Sequence, residues 1–442
     1  ADPVQADRVV ALVAFVKRFA GWAGLLALYL AVPNLEWAGG LHRVKPAVFS
    51  GDEPHYLLMV NSLIEDGDLQ LGPDYERVRQ GGAQAGLRFR YADLDHHTIL
   101  VDPRSGRHEL WQRIFNAGWH LASGGYARLQ GGFESGAVEV PAHPPAFAAA
   151  LALLCMPFRK NPLRVEHVAI MAMALCSFLT LAVLFFAARR AGLSEREAAF
   201  AVALCGLASP HLAYAQSFFP DTFITLALAL ALWALAAGRP ALVALAIFAA
   251  TAIKPPFMLV GLAWAALFSW DGKRRDAGLL LATLLPGCVA LGVFNFWLAR
   301  TPVISGSLGF VPADGLDTLR ALFVGSKHGL FVWVPWTVAG TIWLLRSPPD
   351  FPLLRALAWG AAPVVALTIA QVSDGGYCHG PRYLLPFLPW LALATVAAFR
   401  AAPRIARAAI LALALAGMVI AVPGALRYRQ VFDVPVAAIF RR

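Results

Sequence analysis

The sequence predicts an all-α polytopic membrane protein of about eleven transmembrane helices, with a large first outer loop that carries juxtamembrane helices. Three observations carry this prediction. Of 442 residues, 59% are hydrophobic and only 14% are charged, against about a quarter charged in an ordinary soluble domain. Apolar stretches close to the roughly 20 residues that cross a bilayer core recur along nearly the whole chain. None of them alternates apolar and polar positions as the strands of a transmembrane barrel do. The same composition excludes collagen-like, disordered and disulfide-framework classes.

In order, the predicted spans cover residues 19–37, 165–188, 198–214, 222–238, 240–253, 257–270, 277–299, 330–345, 353–370, 383–399 and 408–424. The chain therefore divides into an N-terminus and first helix (1–37), a large outer loop with surface helices (38–164), helices two to eleven (165–424) and a C-terminal tail (425–442). The segment Pro144–Phe158 is apolar but too short to span, and a crossing there would invert the charge bias of every later turn. It is expected to lie along the membrane surface.

The formal charge of +10 arises from 37 Lys and Arg against 27 Asp and Glu. In a membrane protein this is loop chemistry rather than a nucleic-acid footprint. With the N-terminus inside, the cytoplasmic turns hold clusters such as Arg189-Arg190, Lys273-Arg274-Arg275 and Arg400, Arg404, Arg407. The short outer turns hold only Lys254, Arg300, Arg320, Lys327 and Arg382. That asymmetry is the one that fixes orientation, and long loops such as the first are exempt from it. Arg427 and Arg429 follow the last span and fall on the outer side, against the trend. Cys155, Cys176, Cys205 and Cys288 lie in apolar stretches and only Cys378 in a polar one, so no disulfide framework is expected.

The polar groups gather at one face. The outer loop opens with Ser50-Gly51-Asp52-Glu53-Pro54-His55-Tyr56, in which Ser50 or Asp52 is placed to cap a helix with Pro54 in its first turn. The same carboxylates, directly after a membrane span, are placed to meet both a lipid headgroup and water. Asp221 follows Pro220 at the outer end of a helix pair, either as the N-cap of the next span or as a contact to sugar hydroxyls or a cation. Lys254, between an apolar helix and two prolines, and Arg382, at the entry to a late helix, are natural partners for an interfacial phosphate. Arg382 offers a bidentate fork, or serves simply as a snorkelling anchor. Lys327-His328 sits in a Gly-bounded turn and either touches phosphate or sugar or is merely solvated. His96, His97, His108, His120 and His143 lack the spacing of a zinc motif. No Gly-rich phosphate loop is present, which disfavours nucleotide-sugar donors. A transporter with paired halves and interrupted midplane helices is not apparent.

The stretch Gly51-Asp52-Glu53-Pro54-His55-Tyr56-Leu57-Leu58 through Glu65-Asp66-Gly67-Asp68 resembles the first-loop pattern of GT-C glycosyltransferases that use polyprenyl-phosphate sugars, the protein O-mannosyltransferases and aminoarabinose transferases. Four further stretches resemble the family in order: Val140–Phe147, Phe219-Pro220-Asp221-Thr222, Thr251–Pro255 and Gly380–Pro386. Ala142 and His143 depart from it, standing where the aminoarabinose transferases carry Glu-Lys. The chain is also short for the family, so acceptor recognition is expected from the outer loops.

The resemblance implies a GT-C type enzyme that moves one glycosyl unit from a polyprenyl monophosphate to a periplasmic glycan, lipid or protein acceptor at the bacterial inner membrane. Asp52 is the expected base, with Glu53 and Asp221 beside it. Arg382, Lys254, Lys327, His328, Tyr383, His143 and Tyr56 are the expected substrate contacts. A divalent cation (Mg or Mn) bridging Asp221 and the phosphate is compatible but not required. The rival readings are a polyprenyl-diphosphate-dependent glycan polymerase or ligase and a lipid-linked glycan transporter without chemistry.

Overall fold

A computed structural model of the protein describes residues 20–34, 52–81, 96, 98–101, 138–299, 315–346, 360–366, 378–428 and 433–440. Within them the chain is helical throughout, apart from one small sheet. The opening span is α1 (Ala20–Asn34). The outer loop holds α2 (Glu53–Glu65) and α3 (Leu71–Gly81), strands β1 (Thr98–Val101) and β2 (Val138–Pro141), and α4 (Ala146–Cys155), which runs on as a 3-10 turn over Met156–Phe158. Next come α5 (Pro162–Arg190), α6 (Glu195–Gly206), α7 (Asp221–Ala236), α8 (Pro240–Ile253), α9 (Met258–Trp270) and α10 (Arg274–Ala299). The last are α11 (Gly315–Val324), α12 (Thr337–Arg346), α13 (Leu388–Ala401) and α14 (Arg404–Leu426).

The helices at Arg164–Arg190, Arg274–Phe296, Arg382–Ala401 and Arg404–Leu426 are long and apolar enough to cross a membrane. Every predicted span contains helix, although only 360–366 of the stretch 353–370 lies within the described residues. Two spans expected to be continuous are broken. After α6 the chain turns at Ser209-Pro210 into a single helical turn, His211–Tyr214. The span at 330–345 splits into Leu330–Trp333 and α12 around Pro335. In both cases a proline that lacks an amide proton ends the backbone ladder. The all-helical expectation omits one small sheet, in which β1 and β2 pair antiparallel with Thr98 opposite Pro141 and Val101 opposite Val138.

Packing follows from side-chain size. Trp264 and Trp390 are buried and stack at 5.4 Å, joining α9 to α13. Between α12 and α13 the approach is closer still. A Cβ added at Gly340 would stand 2.6 Å from Thr395 Oγ1 and 2.8 Å from the Leu391 carbonyl, so only glycine fits. Helices α7, α8 and α9 have 16, 14 and 13 residues. At about 1.5 Å per residue these fall short of the roughly 30 Å hydrocarbon core. Asp221 and Lys254 sit at such shortened ends.

The described helices of the outer loop are anchored in the protein. Nearly every residue of α2 is buried, and the helix packs on α4 along its buried face of Phe147, Leu151 and Cys155. Helix α3 closes against it through Arg77, which pairs with Asp66 and with Asp74 (2.6 Å). Tyr75 accepts or donates a 2.6 Å bond with His55 and stacks on His96 at 4.2 Å. His96 in turn bonds Glu139 of β2 at 2.7 Å, so this histidine serves the loop's own structure. His97, His108 and His120 lie outside the described residues. All five cysteines are free, as the sequence led one to expect.

Asp74 supplies a pH dependence. Burial raises its pKa from 3.8 to about 6, with Arg77 and Ser62 opposing. Because the folded carboxyl holds its proton more tightly than the unfolded one, stability is greatest below the unfolded value and falls as pH rises through about 6. The loss is about 3 kcal/mol at 1.36 kcal/mol per pKa unit. Thermal unfolding in detergent is expected to show this slope in the wild type and not in Asp74→Asn.

Candidate active site

Asp52 occupies the N-cap position of α2, yet its backbone is already helical and its side chain makes no capping bond. The capping reading is corrected on this point, and Ser50 lies outside the described residues. The Asp52 carboxylate is aimed elsewhere. Its Oδ2 accepts from Arg382 Nη2 at 2.5 Å, and its Oδ1 lies 3.7 Å from His143 Nε2. Pro54 sets the first turn that holds it there.

Arg382 is the centre of the arrangement. Gly380 adopts φ 62°, and the Arg382 amide closes on its carbonyl at 2.9 Å. This left-handed turn is one that glycine takes without steric cost. The 3-10 segment Arg382–Phe387 then packs on α7. From that position the guanidinium forks. While Nη2 reaches Asp52, Nε donates to Asp221 Oδ2 at 3.0 Å. Its face lies 3.9 Å from the ring centroid of Phe219 and 5.5 Å from that of Tyr383, distances at which an aromatic face attracts a cation.

Asp221 is the first residue of α7, where the helix dipole favours a carboxylate. Its other oxygen accepts from Lys254 Nζ at 2.6 Å. The fold thus brings Asp221 two basic partners, both distant in sequence. Lys254, at the end of α8, has its ammonium 5.3 Å from the Tyr383 ring. Two acids and two bases thus converge from α2, α7, the end of α8 and the entry to α13. The side chains of Asp221 and Arg382 are 1% and 5% exposed, whereas those of Lys254 and Asp52 are 21% each. The first pair forms the floor and the second the lip.

His143 completes the lip beside Asp52, with Tyr56 buried beneath it. Their rings lie 5.0 Å apart, and Tyr56 meets Phe147 edge-on at 5.1 Å. Burial, followed by the negative charge of Asp52, holds the Tyr56 phenol well above its ordinary value, so it stays protonated. Glu53 points away from the lip. It is 1% exposed and its Oε1 accepts from the Phe218 amide at 2.8 Å, which fixes the turn carrying Phe219 and Asp221.

Lys327 and His328 do not join this centre. Lys327 Nζ lies 3.4 Å from Asp433 Oδ2, and His328 Nε2 lies 3.1 Å from Asp433 Oδ1. Their partner belongs to the C-terminal tail, which the sequence left unplaced. The tail folds back after α14: Val436 donates to the Ser326 carbonyl at 2.9 Å, and Arg427 Nη1 donates to the Ile439 carbonyl at 2.6 Å. Tyr428 packs on His379 and Tyr214, and Gln216 donates to the Ala425 carbonyl at 2.6 Å. The tail therefore sits at the same end of the bundle as Asp221. Asp433→Ala is expected to release it, seen as faster limited proteolysis after Arg427 and a destabilisation of about 1 kcal/mol.

A divalent cation does not fit the donor set. Both Asp221 oxygens already accept from cations. Among the described residues no group of three or more His, Cys, Asp and Glu side chains is arranged to hold a metal. Phe219, the platform under Arg382, went unrecognised as a site residue, although an aromatic directly before a Pro-Asp turn is a readable signal. The roles of Phe218, Tyr428 and Asp433 have no comparable signature.

No protein-family profile and no curated protein sequence matches the chain. Among solved structures it is similar to two crystal structures of ArnT from Cupriavidus metallidurans. The apo form aligns with a TM-score of 0.43 at 16% identity, over 77% of this chain and 62% of that one. The form bound to undecaprenyl phosphate aligns with a TM-score of 0.41 at 16% identity, over 84% of this chain and 75% of that one. This chain thus spans less than two thirds of the apo ArnT chain.

Proposed function

We propose that the protein is a glycosyltransferase of the bacterial inner membrane, moving one glycosyl unit from a polyprenyl monophosphate to a hydroxyl acceptor at the periplasmic face. The observation that carries this reading is the sharing of one buried guanidinium between Asp52 and Asp221, with Lys254 alongside. Such a centre answers the two demands of the reaction. The phosphate leaving group needs donors that stay charged, and the incoming hydroxyl needs a base.

The acceptor oxygen attacks the anomeric carbon from the face opposite the phosphate. The bond from that carbon to the phosphate oxygen breaks with its electron pair, giving free polyprenyl phosphate and an inverted centre. The acceptor proton passes to the Asp52 carboxylate. Arg382 and Lys254, steadied by Tyr383 and Phe219, receive the developing charge on the phosphate. Asp221 holds the two cations in register. His143 borders the space above Asp52 and offers a donor to the sugar or acceptor, with Tyr56 packed behind its ring. Glu53 acts through the Phe218–Asp221 turn, and Lys327 and His328 act through the tail.

The test is turnover of a radiolabelled sugar on polyprenyl monophosphate by the purified protein, undecaprenyl phosphate being the carrier of choice. Release of carrier phosphate together with transfer of label to a hydroxyl acceptor is the expected result. Turnover confined to diphosphate-linked glycans points instead to a polymerase or ligase, and movement of intact donor across proteoliposomes without cleavage points to a transporter.

A further inference from the structure

At the far end of α4 from His143 the chain forms a second site. The 10 residues of α4, at about 1.5 Å each, separate it from the Asp52–Arg382 centre by roughly 15 Å of helix. A cavity of about 570 Å3 opens where α4 gives way to α5, lined chiefly by Leu153, Met156, Phe158, Arg159, Lys160 and Arg164. That volume lies within the range of small-ligand pockets, about 300–1,000 Å3.

Its two kinds of lining point to one class of ligand. Leu153, Met156 and Phe158 are 72%, 45% and 37% exposed, large apolar side chains that water alone does not tolerate well. The opposite side of α4 is buried on α2, so the exposed side is the one left for lipid. Arg159, Lys160 and Arg164 lie at the start of the long apolar helix α5 and form no ion pair with any described residue. Snorkelling cations at a helix end ordinarily spread into the headgroup layer; these three border one cavity. The backbone is not their competitor, because Asn161 already caps α5 by accepting from the Arg164 amide at 3.3 Å. They also stand at the end of the bundle that the basic-residue asymmetry makes outer, where short turns carry few cations.

We infer that this cavity binds a membrane lipid with an anionic phosphate headgroup, the phosphate held by Arg159, Lys160 and Arg164 and an acyl chain lying along Leu153, Met156 and Phe158. A lipid rather than free phosphate is the occupant because the apolar run continues directly from the cations. The inference stands apart from the glycosyl-transfer reading, since its test measures lipid retention and no turnover.

The purified protein is exchanged into detergent, mixed with dioleoyl phosphatidic acid, and bound lipid is counted by native mass spectrometry. The variant R159Q/K160Q/R164Q is expected to retain that lipid about a hundredfold less well, about fivefold per cation. R189Q/R190Q/R196Q, which removes the same charge from the opposite end of α5 and the start of α6, is expected to retain it as the wild type does. Dioleoylglycerol should not be retained, and millimolar inorganic phosphate should not displace the lipid. Because the replaced residues are exposed, melting temperature should be unchanged in both variants. The single variant Lys160→Glu gives the same reading with less perturbation. Equal loss in both triple variants, retention of dioleoylglycerol, or displacement by inorganic phosphate would each overturn the inference.

Discussion

Asp52→Asn is expected to abolish transfer from a polyprenyl-phosphate sugar while leaving the protein folded. Asparagine keeps the shape of the side chain and still accepts a bond from Arg382, but it has no charge with which to take a proton. Removal of a general base costs about 10²–10⁴-fold in rate. The fold tolerates the change because Asp52 lies at the lip, 21% exposed, and Arg382 keeps Asp221 as its partner. Single-turnover release of labelled carrier and the melting temperature, measured on the same preparation, check both halves. A variant rate within tenfold of wild type would remove Asp52 from the mechanism.

Asp221→Asn is expected to have the largest effect on stability. Its carboxylate is 1% exposed and compensates both Lys254 and Arg382. Loss of one member of a buried ion pair costs about 3–5 kcal/mol, because the remaining charge is left without compensation. Adding Lys254→Met to Asp221→Asn removes that surplus charge, so the double variant should be more stable than the sum of the two single variants by about 1 kcal/mol or more. Additive losses would mean that the two side chains do not share a buried charge balance. Arg382→Lys completes the set. An ammonium is a point charge that cannot reproduce the fork across Asp52 and Asp221, and it should slow transfer about 10²-fold with a smaller loss of stability than Asp221→Asn.

The membrane architecture was legible because hydropathy is a local property. Runs such as 165–188 and 408–424 announce their environment without reference to any other part of the chain. The ionised members of the centre were legible for a related reason, since an Asp, Lys or Arg at the end of an apolar helix is costly unless it has a partner or a task. Their mutual pairing was not legible. Asp52 and Arg382 are 330 positions apart, and nothing local in either segment encodes the other. The pairing of Lys327 and His328 was illegible for the same reason: their partner, Asp433, lies in a tail whose course depends on packing of Tyr428 against Tyr214 and His379. The breaks at Pro210 and Pro335 were written in the sequence, and hydropathy averaging passed over them.

Electrical neutrality at the site has a kinetic corollary. With two positive and two negative groups in mutual contact, an entering phosphodiester meets a guanidinium whose Nε and Nη2 already serve Asp221 and Asp52, and it competes with those carboxylates for the same positive charge. Asp221 is enclosed and gripped twice, so Asp52 is the one that yields. Its lone pairs then turn from guanidinium to the acceptor hydroxyl. Under the proposed mechanism the resting base is masked by its ion pair with Arg382, and a lipid-linked donor that draws on the same guanidinium favours its unmasking.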